Sequence, residues 1–561
     1  MPETSNSDSL SYASGSTENA LWTDCIGQAL ENAVELYGDN EALVSCHQNI
    51  RWTYTQFNAE VDKVAAGLVA LGLGKGDRIG IWSPNNAEWI VTQFATAKAG
   101  LILVTINPAY RLSELEYALN KVECKAIVLA HQFKTSNYVQ MIEGLAPEIS
   151  DCQPGQLQSK KIPHLELAIV IADEAPPGFM TFEDIANSAN QQSIAQLETR
   201  KAQLSCDDPI NIQFTSGTTG FPKGATLTHK NILNNGRNVA VCQDLTDQDR
   251  LCIPVPLYHC FGMVMGVLGC VSHGATMVLP SEAFEPATVL QAVASEKCTS
   301  LYGVPTMFIA ELGLPTIAEF DLSTLRTGVM AGSPCPTETM KQVLDIMHMR
   351  DVTIAYGMTE TSPVSMQTIA TDSFEKRVST VGKVHPHVEV KILDDTGNIV
   401  PYGVQGEFCT RGYSVMSGYW GDEQKTSESI DSDKWMHTGD LATMDDQGYV
   451  CITGRLKDMI IRGGENVYPR EIEEFLYRHP KIQDVQVFGV PDEKYGEEIC
   501  AWVVLKNSEK SSLGEIKDFC AGQIAHYKVP RYVKFVEEFP MTVTGKIQKF
   551  VMRDKMVNEN A

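Results

Sequence analysis

Positive charge is scarce in this chain: 45 Lys and Arg stand against 70 Asp and Glu, for a formal net charge of −25. A surface of that sign repels polyanions as a whole, which argues against nucleic acid or an anionic membrane as partner. It still leaves room for a local basic pocket. No apolar run approaches the roughly 18 residues that a membrane helix needs, because Ser272 and His273 interrupt the best candidate. No membrane span is therefore expected. The first twenty residues hold no Lys or Arg, unlike a secretory signal or an Arg-rich transit peptide. The 15 cysteines include no C-x-x-C pair and no zinc-type spacing. They read as reduced thiols, not as a disulfide framework, and a cytoplasmic location is expected. Nothing in the sequence speaks to oligomeric state.

At 561 residues the chain exceeds one ordinary core, so several domains or subdomains are expected. The Ser/Thr/Glu-rich residues 1–19 read as a disordered tail. Beyond them, helical and strand patterns alternate. Phe57, Val61, Val64, Leu68 and Leu71 share one helical face, with Thr55 as N-cap and Gly72 as stop. The strand "RIGIW" follows at 78–82. Leu112, Leu115, Leu119 and Val122 repeat the helical pattern before the strand "AIVLA" at 126–130. Such alternation argues for α/β architecture with buried sheets. From about 386 to 454 the segments become short and β-rich, with turns at Asp395–Gly397 and Asp446–Gly448, as in a small β subdomain. The last hundred residues form another unit, with a helix at "PREIEEF", strands at "VQVFGV" and "ICAWVVL", and a helix over roughly 513–526. The join falls near "GRLKD", 454–458.

Four stretches carry chemistry. "FTSGTTGFPKGA", 214–225, fails the Walker pattern, since Gly217 and Gly220 are too close together and Lys223 is followed by Gly224. Its glycines nonetheless let backbone N–H groups turn toward an anion, Thr215, Ser216, Thr218 and Thr219 add hydroxyl donors, and Lys223 adds charge. In "AYGMTETSP", 355–363, an aromatic face can cover a nucleobase, Thr359 can bond a phosphate and Glu360 can hold Mg²⁺. A capped helix start explains Thr359–Glu360 equally well. In "HTGDLA" Asp440 can accept both ribose hydroxyls, and Arg455 follows fifteen residues later. "PMTVTGKIQKF", 540–550, sets Lys546 on a turn of small residues, as if held out to reach another domain.

Together these motifs resemble the acyl-adenylate-forming superfamily of acyl-CoA synthetases, beetle luciferases and peptide-synthetase adenylation domains. The resemblance runs in order from about Leu21 to Met556. "PLYHCFGMV", "MIIRGGENVYP" and "FPMTVTGKIQKF" look most like medium-chain fatty acyl-CoA synthetases of the acyl-CoA synthetase family member 2 type. It implies an α/β fold: a large N-terminal domain (20–454) of two α/β subdomains plus the β subdomain (386–454), a hinge at 455–458 turning on Lys457, and a small mobile α+β C-terminal domain (459–561). It implies ATP, Mg²⁺ and coenzyme A, with a carboxylic acid as the fourth participant. The acid would attack the α-phosphorus of ATP, releasing pyrophosphate, and the CoA thiol would then displace AMP. Lys546 would bridge the carboxylate and the α-phosphate, Thr359 bind that phosphate, Glu360 hold the metal, Tyr356 cover adenine with Gly357 as a further cofactor-binding residue, and Asp440 and Arg455 fix the ribose. Gly332 and Ser333 join Thr215–Gly220 and Lys223 as cofactor-binding residues. Rotation about Lys457 would bring in Gly463 and Gly464 to line a thiol tunnel and Arg462 to meet the nucleotide end of CoA. Gly463–Gly464 also fits an ordinary strand-ending turn.

Peptide-synthetase domains place an Asp against the substrate ammonium in the segment matching "LYHCFG". Here His259 stands in its place and no acid lies between Pro256 and Met265, so an α-amino acid would leave a buried ammonium unpaired. His259 either lines the carboxylate end of the pocket or is a core histidine bonded to backbone. Uncharged residues in "GMVMGVLGC", "LYGVPT" and "MAGSPCP" suit an aliphatic tail or ordinary packing. A medium-chain acid is preferred; short, aryl or sulfur-containing acids, and an acyl carrier protein as acceptor, are the alternatives.

Overall fold

The computed structural model describes residues 10–215, 222–462, 465–492, 494–507, 509–521, 523–542 and 545–560. Two long, largely parallel sheets form the bulk of the chain. In the first, strands run in the order 180–181, 167–171, 126–130, 78–82, 102–105, 209–215, 223–228 and 418–419. The second runs 383–384, 364–367, 351–357, 327–331, 300–303, 250–252, 276–279, 41–45 and 50–53. The inner strands are parallel, as at 78–82 against 102–105 and 126–130, and at 300–303 against 327–331. They are buried along their length, as the near-continuous apolar runs require. One apolar cluster spans both sheets through the helices packed between them.

The helix expected around Phe57 runs Tyr54–Ala70 and buries Phe57, Val61, Val64 and Leu68. Its cap is Thr53, not Thr55: Thr53 Oγ1 accepts the Gln56 N–H at 3.2 Å and Gln56 Oε1 accepts the Thr53 N–H at 2.9 Å. This reciprocal pair satisfies two otherwise unpaired donors, while the Thr55 hydroxyl donates to the Gly38 carbonyl. The helix Leu513–Cys520 is shorter than the expected 513–526, because Ala521 turns extended and a separate short turn forms at His526–Lys528.

A third sheet, antiparallel, orders strands 12–14, 388–393, 406–412, 436–444 and 450–455. Its first strand corrects the reading of 1–19 as a disordered tail. Tyr12–Ser14 pair with 389–391, and Trp22 N–H donates to Asn234 Oδ1 at 2.7 Å. Backbone pairing asks little of side chains, so a Ser-rich segment can still form an edge strand. Residues 1–9 lie outside the described residues. The C-terminal unit packs strands 460–462, 465–467, 482–492, 496–505 and 532–535 with helices 469–476, 513–520 and 549–560 around two apolar clusters of its own.

Candidate active site

The candidate residues sit where parallel strands end. Thr215 closes strand 209–215, Gly332 and Ser333 follow strand 327–331, and Tyr356 and Gly357 close strand 351–357. In open α/β sheets these carboxyl ends form the ligand crevice.

Glu360 begins from a backbone constraint. A Cβ on Gly357 would lie 1.7 Å from the Pro363 carbonyl oxygen, so only glycine lets the chain fold back into the short turn Thr359–Thr361. Thr359 and Glu360 are both buried there. Glu360 Oε1 accepts from Thr215 Oγ1 at 3.1 Å and from Tyr419 Oη at 2.8 Å. Tyr419 in turn accepts from Lys223 Nζ at 2.9 Å, and that ammonium lies 4.1 Å from the centre of its ring. The lysine of the glycine-rich loop, a tyrosine and the Thr-Glu carboxylate are thus one chain of hydrogen bonds. Burial pulls the Lys223 pKa down, opposed by Glu360, and burial followed by Glu360 pushes the Tyr419 hydroxyl up, so it stays a donor.

A second group forms by strand register. Asp440 and Arg455 are cross-strand partners in the third sheet, and Arg455 Nε lies 3.0 Å from Asp440 Oδ1. Tyr356 Oη donates to Asp440 Oδ2 at 2.7 Å, and its ring meets Phe408 edge-on at 5.2 Å. Burial and then Asp440 hold the Tyr356 hydroxyl protonated.

Lys546 reaches this cleft from the C-terminal unit. Its turn closes through Gly545 N–H to Thr542 O at 2.9 Å and Thr542 N–H to Lys546 O at 2.8 Å. Gly545 adopts φ +75°, the left-handed region that favours glycine, and its carbonyl accepts from Thr306 Oγ1 at 3.4 Å. Lys546 Cε lies 3.9 Å from where a Cβ of Gly332 would stand. Burial and then Arg455 pull the ammonium pKa down, while Glu360 and Asp440 raise it.

His259 stands at the head of a π-helical stretch, Phe261–Leu268. Its Nδ1 accepts the Phe261 N–H at 3.3 Å, which puts the ring proton on Nε2. Burial, with Lys546 second, drops its pKa to about 3, so it is a neutral donor across the working pH range.

The structure brings together Thr215, Lys223, His259, Gly332, Tyr356, Gly357, Thr359, Glu360, Asp440, Arg455 and Lys546. Ser333 is exposed at the rim and Lys457 is exposed beside Arg455. Arg462 is expected to meet CoA only after rotation of the C-terminal unit. Its guanidinium pairs with the buried Glu498 through Nε at 2.7 Å and Nη2 at 2.8 Å and lies over the Tyr495 ring, held within the C-terminal unit. Ser216, Gly217, Thr218, Thr219 and Gly220, and Gly463 and Gly464, lie outside the described residues. Tyr419 is the residue the motif reading missed; its only sequence signal is the aromatic pair in "GYWGD". Tyr419→Phe is expected to lower kcat/KM for ATP about tenfold, because one neutral hydroxyl linking two charged groups is worth roughly 1–1.5 kcal/mol. Unchanged ATP kinetics would show that Glu360 needs no such support.

Two family models match the chain, the AMP-binding enzyme over residues 30–420 and the AMP-binding enzyme C-terminal domain over 471–546. The putative acyl-CoA synthetase YngI of Bacillus subtilis is 52% identical over 95% of this chain and 97% of its own length. The mitochondrial medium-chain acyl-CoA ligase ACSF2 of Homo sapiens is 47% identical over 98% of this chain and 90% of its own. Among solved structures, the anthranilate CoA ligase AuaEII in complex with anthranoyl-AMP superposes with a TM-score of 0.84 at 27% identity, covering 97% of this chain and 98% of its own. With both family models matched in order and a relative 52% identical over 95% of this chain, the chain belongs to the AMP-binding enzyme family of acyl-adenylate-forming proteins.

Proposed function

We propose that this protein is an AMP-forming acid–CoA ligase whose acid is a medium-chain fatty acid. In the first half-reaction a carboxylate oxygen attacks the α-phosphorus of ATP, the P–O bond to pyrophosphate breaks, and acyl-AMP forms. In the second, the CoA sulfur attacks the acyl carbon, AMP leaves, and the thiol proton passes to solvent. The observation that carries this reading is the Lys546 ammonium, brought by the C-terminal unit into a cleft beside Glu360, Asp440 and Arg455.

The first step presses a carboxylate against a triphosphate. Each unit-charge pair at 4 Å is worth roughly 4 kcal/mol at an effective dielectric near 20, so positive charge must sit where the anions meet. Lys546 takes that place, Thr359 bonds the α-phosphate, and Tyr356, Asp440 and Arg455 hold the nucleoside. The glycine-rich loop 215–220 with Lys223 receives the departing pyrophosphate. Among the described residues the hydrogen bonds to the Glu360 carboxylate both go to Oε1, which leaves Oε2 for a cation. A single hard carboxylate beside a phosphate-binding loop fits Mg²⁺, which takes few protein ligands and completes its shell with phosphate and water. Bound there, Mg²⁺ would neutralise phosphate charge. The Nε2–H of His259 donates to the substrate carboxylate, and with no acid between Pro256 and Met265 that segment offers an α-ammonium no partner.

The thiol step needs the Lys546 turn withdrawn. A cavity of about 340 Å³ lies along that turn, lined by Tyr258, Thr306, Met541, Thr542 and Gly545 and running to Pro108 and Lys134. Rotation of 459–561 against 20–454 about Lys457 would join the cavity to the cleft and bring Gly463 and Gly464 toward it. No described helix is long and apolar enough to cross a membrane. The 15 free cysteines suit a reducing compartment, and a cytoplasmic location belongs to this reading, whereas the ACSF2 relatives are named mitochondrial.

Pyrophosphate release measured over a panel of straight-chain, aryl and amino acids, with and without CoA, tests the proposal. Maximal release with medium-chain acids and thioester formed on free CoA is expected. Release that peaks on an amino acid, or thioester formed only on a carrier protein, would overturn it.

A further inference from the structure

Outside the cleft, one set of His, Cys, Asp and Glu side chains among the described residues has the composition of a metal centre. Glu407, Cys409 and His437 each offer a ligand atom, all within 4.8 Å of one another. No spacing in the sequence announces the set, which is assembled by strand pairing. Cys409 and His437 are register partners in the third sheet, and an irregularity between Glu407 and Cys409 shifts the register there.

The distances suit a tetrahedral cation. Cys409 Sγ lies 3.5 Å from His437 Nδ1. Sulfur and imidazole nitrogen on one Zn²⁺, at about 2.3 and 2.0–2.1 Å with a tetrahedral angle, stand about 3.5–3.6 Å apart. Glu407 Oε2 lies 2.9 Å from the same Nδ1, a hydrogen-bond distance that must widen by a few tenths of an ångström when a cation replaces the shared proton. The outer shell is also present. Gly439 N–H donates to Glu407 Oε1 at 3.1 Å, and Asp431 Oδ2 stands 3.6 Å from His437 Nε2, on the far side of the ring. Partners of this kind orient ligands at established metal sites. Cys409 is buried, whereas the side chains of His437 and Glu407 are 33% and 23% exposed, which gives an ion a way in and a water a fourth position.

We propose that Glu407, Cys409 and His437 form a binding site for a borderline divalent cation of the Zn²⁺ class. Binding releases the thiol proton to solvent, while the proton shared by His437 Nδ1 and Glu407 moves to Nε2, the nitrogen that faces Asp431. The bound ion ties strand 406–412 to strand 436–444 three residues before Asp440, so it braces the turn that carries that carboxylate. The alternative is a hydrogen-bonded brace only, with Glu407 holding Gly439 and His437 and no affinity for metal.

Co²⁺ titration of the metal-free full chain decides between them. One equivalent is expected to give a thiolate-to-cobalt charge-transfer band together with tetrahedral d–d absorption, both abolished by one equivalent of Zn²⁺. Cys409→Ser should remove the charge-transfer band and weaken Zn²⁺ binding at least about tenfold, while turnover in the absence of Zn²⁺ stays within about twofold of wild type. His437→Asn should remove the d–d bands independently, so the proposal does not depend on one variant folding. Absence of a band at stoichiometric Co²⁺ would leave the hydrogen-bonded brace only. A band that survives in Cys409→Ser would place the metal on another cysteine. Either result overturns the proposal.

Discussion

Lys546→Ala is expected to slow ATP-dependent activation of the acid by at least about 10²–10³-fold while leaving conversion of supplied acyl-AMP and CoA to thioester near its wild-type rate. The asymmetry follows from where charge meets charge. Only the first half-reaction drives a carboxylate onto a triphosphate. Two other cations of the cleft are engaged: Arg455 pairs with Asp440, and Lys223 bonds Tyr419. Lys546 stands beside His259, whose pKa it helps to lower, and that is the end of the cleft where we place the carboxylate. Its own pKa is pulled down first by burial. An incoming triphosphate reverses that balance and holds the ammonium charged. Pyrophosphate release measures the first step and thioester formation from synthetic acyl-AMP the second. Equal impairment of the two would mean that Lys546 supports the fold or both steps alike, and the assignment would fall.

What the sequence could disclose was governed by distance along the chain. The helix Tyr54–Ala70 was legible because its buried face repeats at helical spacing, and its cap was misplaced by two residues because Thr53 and Thr55 look alike until Gln56 reaches back to one of them. Asp440 and Arg455 were legible as motif members, yet the reason they meet is antiparallel register with a bulge between them, which no local pattern encodes. Tyr419 lies 59 positions from Glu360 and reaches it because Gly418–Tyr419 add as a short strand beside 225–226. The pairing of Arg462 with Glu498, 36 positions away, is likewise beyond any local pattern. Composition marked residues 1–19 as disordered, whereas Tyr12–Ser14 is an edge strand followed by Gly15, where a Cβ would lie 1.9 Å from the His385 carbonyl oxygen.

Gly545→Val should separate docking from charge. A Cβ at this position would stand 2.9 Å from Val304 Cγ2 and 3.1 Å from Thr306 Oγ1, and valine adds two methyl groups to it. A β-branched residue at φ +75° adds backbone strain of about 1–3 kcal/mol. That strain weakens the turn wherever the C-terminal unit sits, but the collision exists only while the turn is docked. Overpacking of this kind costs about 1–3 kcal/mol, and with part of the strain this corresponds to roughly 10²-fold slower adenylation at about 1.4 kcal/mol per tenfold. The ammonium is untouched, so its loss of effect must come from failing to arrive. Thioester formation from acyl-AMP, which needs the turn withdrawn, should be unimpaired. The double variant with Lys546→Ala should be no slower in adenylation than Lys546→Ala alone, since two changes acting through one contact do not add. Additive losses, or a matching fall in the second half-reaction, would show that Gly545 serves the fold of the C-terminal unit and not the delivery of its lysine.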